Sequence, residues 1–306
     1  MIGTDVVVLA GGTGGAKLAR GFASVLEPER LTVIANTGDD IEMYGAYVSP
    51  DPDLVCFWLA DQIDERGWGL RGDSFAVMDA LRALGVDVWF NLGDRDLAWC
   101  VERARMLAEG RSATAALQRL KSSLGVRANV LPVSDDSVRT WVRTASGWHA
   151  FQEFMIRERA RGPVQGLEFR GAEAAHASKE VLGTIAQADA VVIGPSNPLA
   201  SIGPILAVPG IREALEATRA PVVAVSPIVG GEVLKGPTAE FLAFAALDCN
   251  AQAIVSFYGE LLDGIVCDER VDGLAELQLD TRMDDAEARA RVAARVLEFA
   301  HQLAGP

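Results

Sequence analysis

Apolar residues along this chain fall into two kinds of run. Short unbroken ones, VVVLA (6–10), LTVIA (31–35), AVVIG (190–194) and PVVAV (221–225), show no polar alternation. A parallel strand covered on both faces reads this way, because neither face meets water. Longer stretches carry apolar residues at three- and four-residue spacing, the mark of an amphipathic helix. They include AKLARGFASVL (16–26), DLVCFWLADQI (53–63), DSFAVMDALRAL (73–84), DLAWCVERARMLAEG (96–110) and SATAALQRLKSSL (112–124). Later ones are EVLGTIAQA (180–188), GIREALEAT (210–218), PTAEFLAFAAL (237–247) and the tail DDAEARARVAARVLEFAHQL (284–303). Strand-like pieces fall at VDVWF (86–90), ANVLPV (128–133), VRTWVRT (138–144) and HAFQEFMIRE (149–158).

Strand-helix alternation at both ends of the chain predicts an α/β fold, a doubly wound, Rossmann-like parallel sheet. The core comprises residues 1–54 and 161–306, and residues 55–160 form an inserted, mainly helical lobe. In such sheets ligands bind beyond the carboxyl ends of the strands, so the loops there carry the candidate chemistry.

The first strand runs into Gly11-Gly12-Thr13-Gly14-Gly15 and then a helix. Glycines let backbone N–H groups approach a phosphate, and the helix N-terminus adds partial positive charge. Lys17 stands where a dinucleotide fingerprint needs its third glycine, and Ala16-Lys17-Leu18 replaces the Gly-Lys-Ser/Thr of a Walker loop. The turn therefore predicts an anion without naming it. After the second strand, NTGDD (36–40) and SPDPD (49–53) bring four carboxylates, Asp39, Asp40, Asp51 and Asp53, to one strand end. A hard cation such as Mg2+ takes one or two carboxylates plus substrate phosphates, whereas helix capping is the competing use of such aspartates.

GWGLRGDSF (67–75) and FNLGDRDLA (90–98) gather Trp68, Arg71, Asp73, Asn91, Asp94, Arg95 and Asp96. Asp96 could equally cap the following helix, and Asp94-Arg95 could be a surface ion pair. The late strands end in PSNPLASIGPIL (195–206) and SPIVGGEVLKGP (226–237), which supply Ser196, Asn197, Ser201, Gly230, Gly231 and Lys235. Together the strand-end loops predict a nucleotide or another diphosphate-bearing ligand. No nucleophile with its base is recognisable, which leaves positioning and electrostatic stabilisation, the needs of phosphoryl-type transfer.

Bulk properties narrow the partners. A net charge of −14 over 306 residues excludes a nucleic-acid or anionic-membrane surface and favours a small molecule whose charge is locally neutralised. No run approaches the about 18 apolar residues of a membrane span. The N-terminus has no basic region of a signal peptide. Cys56, Cys100, Cys249 and Cys267 show no paired spacing, and His149, His176 and His301 are scattered. Reduced structural thiols in a cytoplasmic protein, with no histidine-built zinc site, are the expectation.

In order along residues 6–270, GGTGGAKL, NTGDD, SPDPD, GWGLRGDSF, LGDRDLA, LPVSDD, FQEF, IGPSNPLASIGPIL and SPIVGG…KGP resemble the 2-phospho-L-lactate transferase family (CofD/FbiA type). The resemblance implies a transferase of coenzyme F420 biosynthesis. It would move a phosphorylated three-carbon acid from a guanosine-diphosphate-linked donor to the terminal hydroxyl of the deazaflavin Fo, releasing GMP with Mg2+ as cofactor. It implies Asp39 and Asp53 at the metal and reaction centre, with Asp40 and Asp51 nearby as further metal ligands. The deazaflavin would meet Asp53, Asn91, Trp68 and Asp94 beneath the helical lobe. The donor's nucleotide and phosphates would meet Gly11, Gly12, Thr13, Gly14, Lys17, Ser196, Asn197 and Pro198. A homodimer is expected from the resemblance and from the prevalence of twofold assemblies. The chain departs from the family in one place: Trp99-Cys100 follows LGDRDLA where Thr-His is usual. The alternative is a non-catalytic nucleotide-sugar-binding regulator of carbon metabolism with the same fold, whose glycine- and serine-rich stretch after the acidic pair is missing here. An NAD-dependent oxidoreductase is disfavoured by Lys17 and by NTGDD.

Overall fold

A computed structural model of the chain describes residues 3–233 and 236–305. Seven strands form one parallel sheet: β1 (Val6–Ala10), β2 (Leu31–Ala35), β3 (Asn129–Pro132), β4 (Ala190–Ile193), β5 (Val222–Val225), β6 (Gly264–Cys267) and β7 (Ala275–Gln278). Their order is β7-β6-β5-β4-β1-β2-β3. Val8 is in register with Val33 of β2 on one side and Val192 of β4 on the other. The chain thus winds outward from β1 to β3, then returns beside β1 and winds the other way. The reversal lies between β1 and β4, which is where a crevice must open at the strand ends.

The unbroken apolar runs are explained by two cores. Val7, Leu9, Ile34, Val191 and Ile193 point to one face, while Val6, Val8, Val33, Val192 and Val225 point to the other. Successive side chains of a strand alternate between faces, so a doubly covered strand must be apolar throughout. Helix α1 (Gly12–Val25), helix α2 (Pro50–Leu59) and the C-terminal helix Ala286–Ala304 cover the second face, with Phe22, Phe57 and Val296 among the buried residues. Helices Lys179–Gln187, Ile211–Ala217 and Ala251–Tyr258 cover the first.

The doubly wound sheet is as expected, and so is a helical stretch after β2. That stretch comprises α2, α3 (Ala76–Ala83), α4 (Asp94–Ala108) and α5 (Ala113–Ser123). It does not run unbroken to residue 160. Asn129–Pro132 returns to the central sheet as the edge strand beside β2. An antiparallel sheet of Arg139–Thr144, Gly147–Ala150 and Gly166–Arg170 then spans the expected boundary at 160.

Two local expectations are corrected. VDVWF is not a strand: it forms no ladder with another strand among the described residues, and the Phe90 amide donates instead to the Tyr44 hydroxyl. FQEFMI is the helix Phe151–Ile156, because Phe151 and Phe154, three residues apart, share one buried helical face. Strands β6 and β7 are additions that the sequence pattern did not single out.

Candidate active site

A cleft of about 830 Å3 opens at the β1/β4 reversal. Its walls include Trp68, Trp89, Phe90, Asn91 and Met155, together with Ser226, Thr238 and the segment Thr281–Asp284. The glycine turn and Pro195–Asn197 line it as well.

The glycine turn is built first for close approach. A Cβ on Gly14 would stand 2.0 Å from the Pro195 carbonyl oxygen, so only glycine lets the turn after β1 touch the loop after β4. Gly12 opens α1 with φ +63, in the left-handed region, with nothing near its missing Cβ. Two amides of the turn have acceptors within the protein. Gly11 N–H donates to Ser196 Oγ at 3.3 Å, and Ser196 Oγ–H donates back to Gly11 O at 2.6 Å. Gly12 N–H donates to Asp51 Oδ1 at 2.7 Å. The helix N-terminus is therefore already faced by a carboxylate.

The four aspartates are all buried, but they divide into separate settings. Asn36 joins two of them: its Nδ2 donates to Asp39 Oδ1 at 3.0 Å and to Asp51 Oδ2 at 2.9 Å, while its Oδ1 accepts Gly38 N–H. Of the four, Asp39 lines the cleft. Burial, then the neighbouring Asp51 charge, holds the Asp39 carboxyl well above the ordinary range. Burial pushes Asp51 up to about 6 against the hydrogen bonds from Asn36 and Gly12.

Asp40 and Asp53 belong to a different network behind the cleft. Asp53 forms a bidentate ion pair with Arg103 and accepts Trp99 Nε1–H at 2.8 Å. Asp40 accepts Ser49 Oγ–H at 2.7 Å and the Tyr47 hydroxyl at 2.9 Å, and Arg139 donates to that same hydroxyl. Burial raises both carboxyls, with Arg103 opposing it at Asp53 and Arg139 at Asp40.

Two carboxylates, Asp39 and Asp51, share one amide beside the glycine turn. A hard divalent cation takes such carboxylate oxygens, so the donor set around Asp39 fits Mg2+. Asp40 and Asp53 do not fit: guanidinium, hydroxyl and indole donors already fill their oxygens. Asp53, Asp96 and Cys100 have ligand atoms within 4.8 Å of one another, but Arg103 already supplies the positive charge there.

Of the residues expected at the deazaflavin, Trp68 and Asn91 line the cleft, with Asn91 Oδ1 accepting Arg82 Nη2–H at 2.7 Å. Asp94 does not. Its carboxylate accepts Ser74 Oγ–H and the Ala76 and Val77 amides, capping α3, and these hydrogen bonds hold its pKa below the usual range. Asp73 does the same for α4 through the Arg95 and Asp96 amides. Of the residues expected at the nucleotide, Gly11, Gly12, Thr13, Gly14, Lys17, Ser196 and Asn197 line the cleft. Pro198 is buried behind it at the start of a helical turn that Asn197 Oδ1 caps. Lys235 lies outside the described residues.

The structure adds Trp89, Phe90, Ser226, Thr238 and Thr281–Asp284 to the lining. Trp89 and Phe90 were hidden in the misread strand, and Thr281–Asp284 follow a strand whose apolar signal is weak. Trp99, at the departure from the family pattern, fixes a carboxylate as well as packing edge-on against Phe57 at 5.5 Å.

Fold and cleft together define a doubly wound α/β protein with a glycine turn and a cleft at its switch point. The 2-phospho-L-lactate transferase CofD family model matches residues 6–298, and the chain belongs to that family. It is 39% identical to a 2-phospho-L-lactate transferase of Methanosarcina mazei, over 87% of each chain. It is 40% identical to a phosphoenolpyruvate transferase of Kitasatospora aureofaciens, over 97% of this chain and 98% of that one. Among solved structures it is similar to a UPF0052-family protein of Bacillus halodurans, with a TM-score of 0.65 at 19% identity over 96% of this chain and 99% of that one. The last likeness shows the fold alone. The chain is an enzyme, a transferase, and the regulator and oxidoreductase alternatives are set aside. No helix among the described residues is long and apolar enough to cross a membrane.

Proposed function

We propose that the protein transfers a phosphorylated three-carbon acid from a guanosine-diphosphate-linked donor to the terminal hydroxyl of the deazaflavin Fo, with release of GMP, in coenzyme F420 biosynthesis. The observation that carries this reading is the division of the cleft. A glycine turn and the Pro195–Asn197 loop, suited to a diphosphate, adjoin a wall of Trp68, Trp89 and Phe90 suited to a flat apolar ring.

In this reading the Fo hydroxyl oxygen forms a bond to the donor phosphorus that bears the three-carbon acid. The bond from that phosphorus to the bridging oxygen breaks, and GMP leaves with the electron pair. Asp39, in the cleft with a raised carboxyl pKa, takes the hydroxyl proton. Asn36 orients Asp39, and Asp51 holds the glycine turn through Gly12. When bound at Asp39, Mg2+ supplies charge neutralisation on the diphosphate. Asn91 and the aromatic wall orient the acceptor, and Asp53, with Arg103 and Trp99, supports the floor under it.

The named relatives transfer phospholactate or phosphoenolpyruvate, and both donors fit this reading. A cytoplasmic setting and a homodimer complete it. The test incubates purified protein, Fo and Mg2+ with the guanylylated lactate, enolpyruvate and glycerate donors, and identifies products by mass spectrometry. A deazaflavin product and GMP are expected from one donor. No product from any of them, with binding of UDP-sugars instead, would overturn the reading.

A further inference from the structure

Two stretches far apart in sequence line the cleft with apolar side chains. Helix Phe151–Ile156 contributes Met155 and Ile156, and the irregular segment before α4 contributes Trp89 and Phe90. One side chain joins them. Arg157, just after the helix, donates from Nη2 to Asp87 Oδ2, and its guanidinium lies over the Trp89 ring, 5.4 Å from the centroid.

Residues 87–89 have few other ties. Val88 and Phe90 pack against the apolar cluster of Met78 and Leu92, and the Phe90 amide donates to Tyr44. Trp89 belongs to none of the apolar clusters among the described residues. Phe90 meets its ring edge-on at 5.8 Å, and its amide reaches back only to Asp87 O at 3.2 Å. An ion pair at residue 87 and a cation over residue 89 act on the same short stretch. One guanidinium therefore sets both where the stretch lies and how the indole is turned.

The helix end of this tie is firm. Arg157 N–H donates to Glu153 O at 2.9 Å, and Ala160 N–H donates to the carbonyl of buried Phe154 at 2.8 Å. The chain leaves through Arg159 and Ala160 at left-handed φ of +55 and +50, which non-glycine residues keep only where their surroundings impose it. The pair itself is exposed, at 44% of the Arg157 side chain and 71% of Asp87, and exposed ion pairs are weak and screened by salt. A tie of this strength orders the indole without sealing the cleft.

We propose that Arg157 is a positioning residue: it clasps Asp87–Trp89 to helix Phe151–Ile156 and turns the Trp89 ring into the cleft wall, so that the flat ring of the acceptor meets an ordered aromatic face. The inference rests on the acceptor proposed above and names a residue that shapes its wall without touching the reacting atoms.

The test has two arms. In ligand-free, full-length protein labelled with 5-fluorotryptophan, the Trp89 fluorine resonance is assigned through Trp89→Phe. Arg157→Gln and Asp87→Asn should each shift that resonance and leave those of the other five tryptophans in place. High salt should move the wild-type Trp89 resonance towards that of Arg157→Gln. The second arm is steady-state turnover with Fo and the guanylylated donor that the wild type uses. Arg157→Gln should raise KM for Fo about 3- to 30-fold, the combined worth of an exposed ion pair and a cation–π contact, with kcat and the donor KM held within about twofold. Arg157→Lys keeps the charge and should recover part of the loss. An unmoved Trp89 resonance in Arg157→Gln would overturn the inference whatever the kinetics. An unchanged KM for Fo, or an equal rise in the donor KM, would overturn it as well. If the resonance moves as expected but the wild type neither binds nor turns over Fo, the acceptor reading is the part that fails.

Discussion

Replacing Asp39 by Asn should stabilise the ligand-free protein while abolishing its activity. Asn keeps an oxygen to accept from Asn36 Nδ2, so the hydrogen bond survives while the charge is lost. Asp39 and Asp51 share that amide, both buried, and burial followed by the Asp51 charge disfavours ionisation of Asp39. The size of the effect can be gauged from Asp51, whose carboxyl is pushed up to about 6. At about 1.4 kcal/mol per pH unit between folded and unfolded values, holding such a carboxylate ionised costs roughly 3 kcal/mol. Removing the Asp39 charge relieves a carboxylate of the same burial and of its repulsion by Asp51, and should recover about 1–3 kcal/mol at pH 8, or roughly 2–10 °C in Tm for a chain of this size. The sign with pH follows from a folded value raised above the unfolded one. The carboxyl's stability is intact below about pH 4 and is lost as pH rises through the folded value, so the gain in Asp39→Asn should vanish near pH 4 and grow as pH rises. The assay is thermal denaturation of both proteins across this range without Mg2+, alongside transferase turnover with it. Equal Tm at every pH, or turnover within a few-fold of wild type, would refute the argument that Asp39 is a strained, functional carboxylate.

Other substitutions separate the neighbouring roles. Gly14→Ala brings a Cβ to 2.0 Å from the Pro195 carbonyl and must push the two loops apart by about 1 Å; turnover should fall roughly 100-fold and Tm should drop, measured by steady-state kinetics and calorimetry. Arg103→Met leaves the buried Asp53 charge unpaired and should destabilise by about 3–5 kcal/mol in urea denaturation, with or without Mg2+. Asp94→Ala uncaps α3 and should lower Tm, while Fo affinity, followed by fluorescence titration, stays within a few-fold of wild type.

Much of the fold was legible because its strands are buried on both faces. VVVLA, LTVIA, AVVIG and PVVAV have no reason to be uniformly apolar except in a covered parallel sheet. The glycine turn and Asp39 were likewise visible from their places after β1 and β2. What could not be read was how side chains pair across distant segments. Nothing local in SPDPD says that Asp51 faces Gly12 while Asp53 turns to Arg103, 50 residues away. VDVWF misled because β-rich composition does not supply a neighbouring strand. Asp94 misled because a cap can lie on another helix: its sequence neighbours are in α4, but the amides it satisfies begin α3.

That exchange of caps has a consequence for local unfolding. Asp73 closes the start of α4 and Asp94 closes the start of α3, so neither helix can fray at its N-terminus without releasing the other. Trp89 and Phe90 of the aromatic wall, with Asn91, hang between them. Residues 73–97 should therefore open as one cooperative unit, with a single free energy and one class of amide-exchange protection. This aromatic wall of the cleft is then a hinged panel held by a double latch, whose opening is governed at its two corners and not along its length.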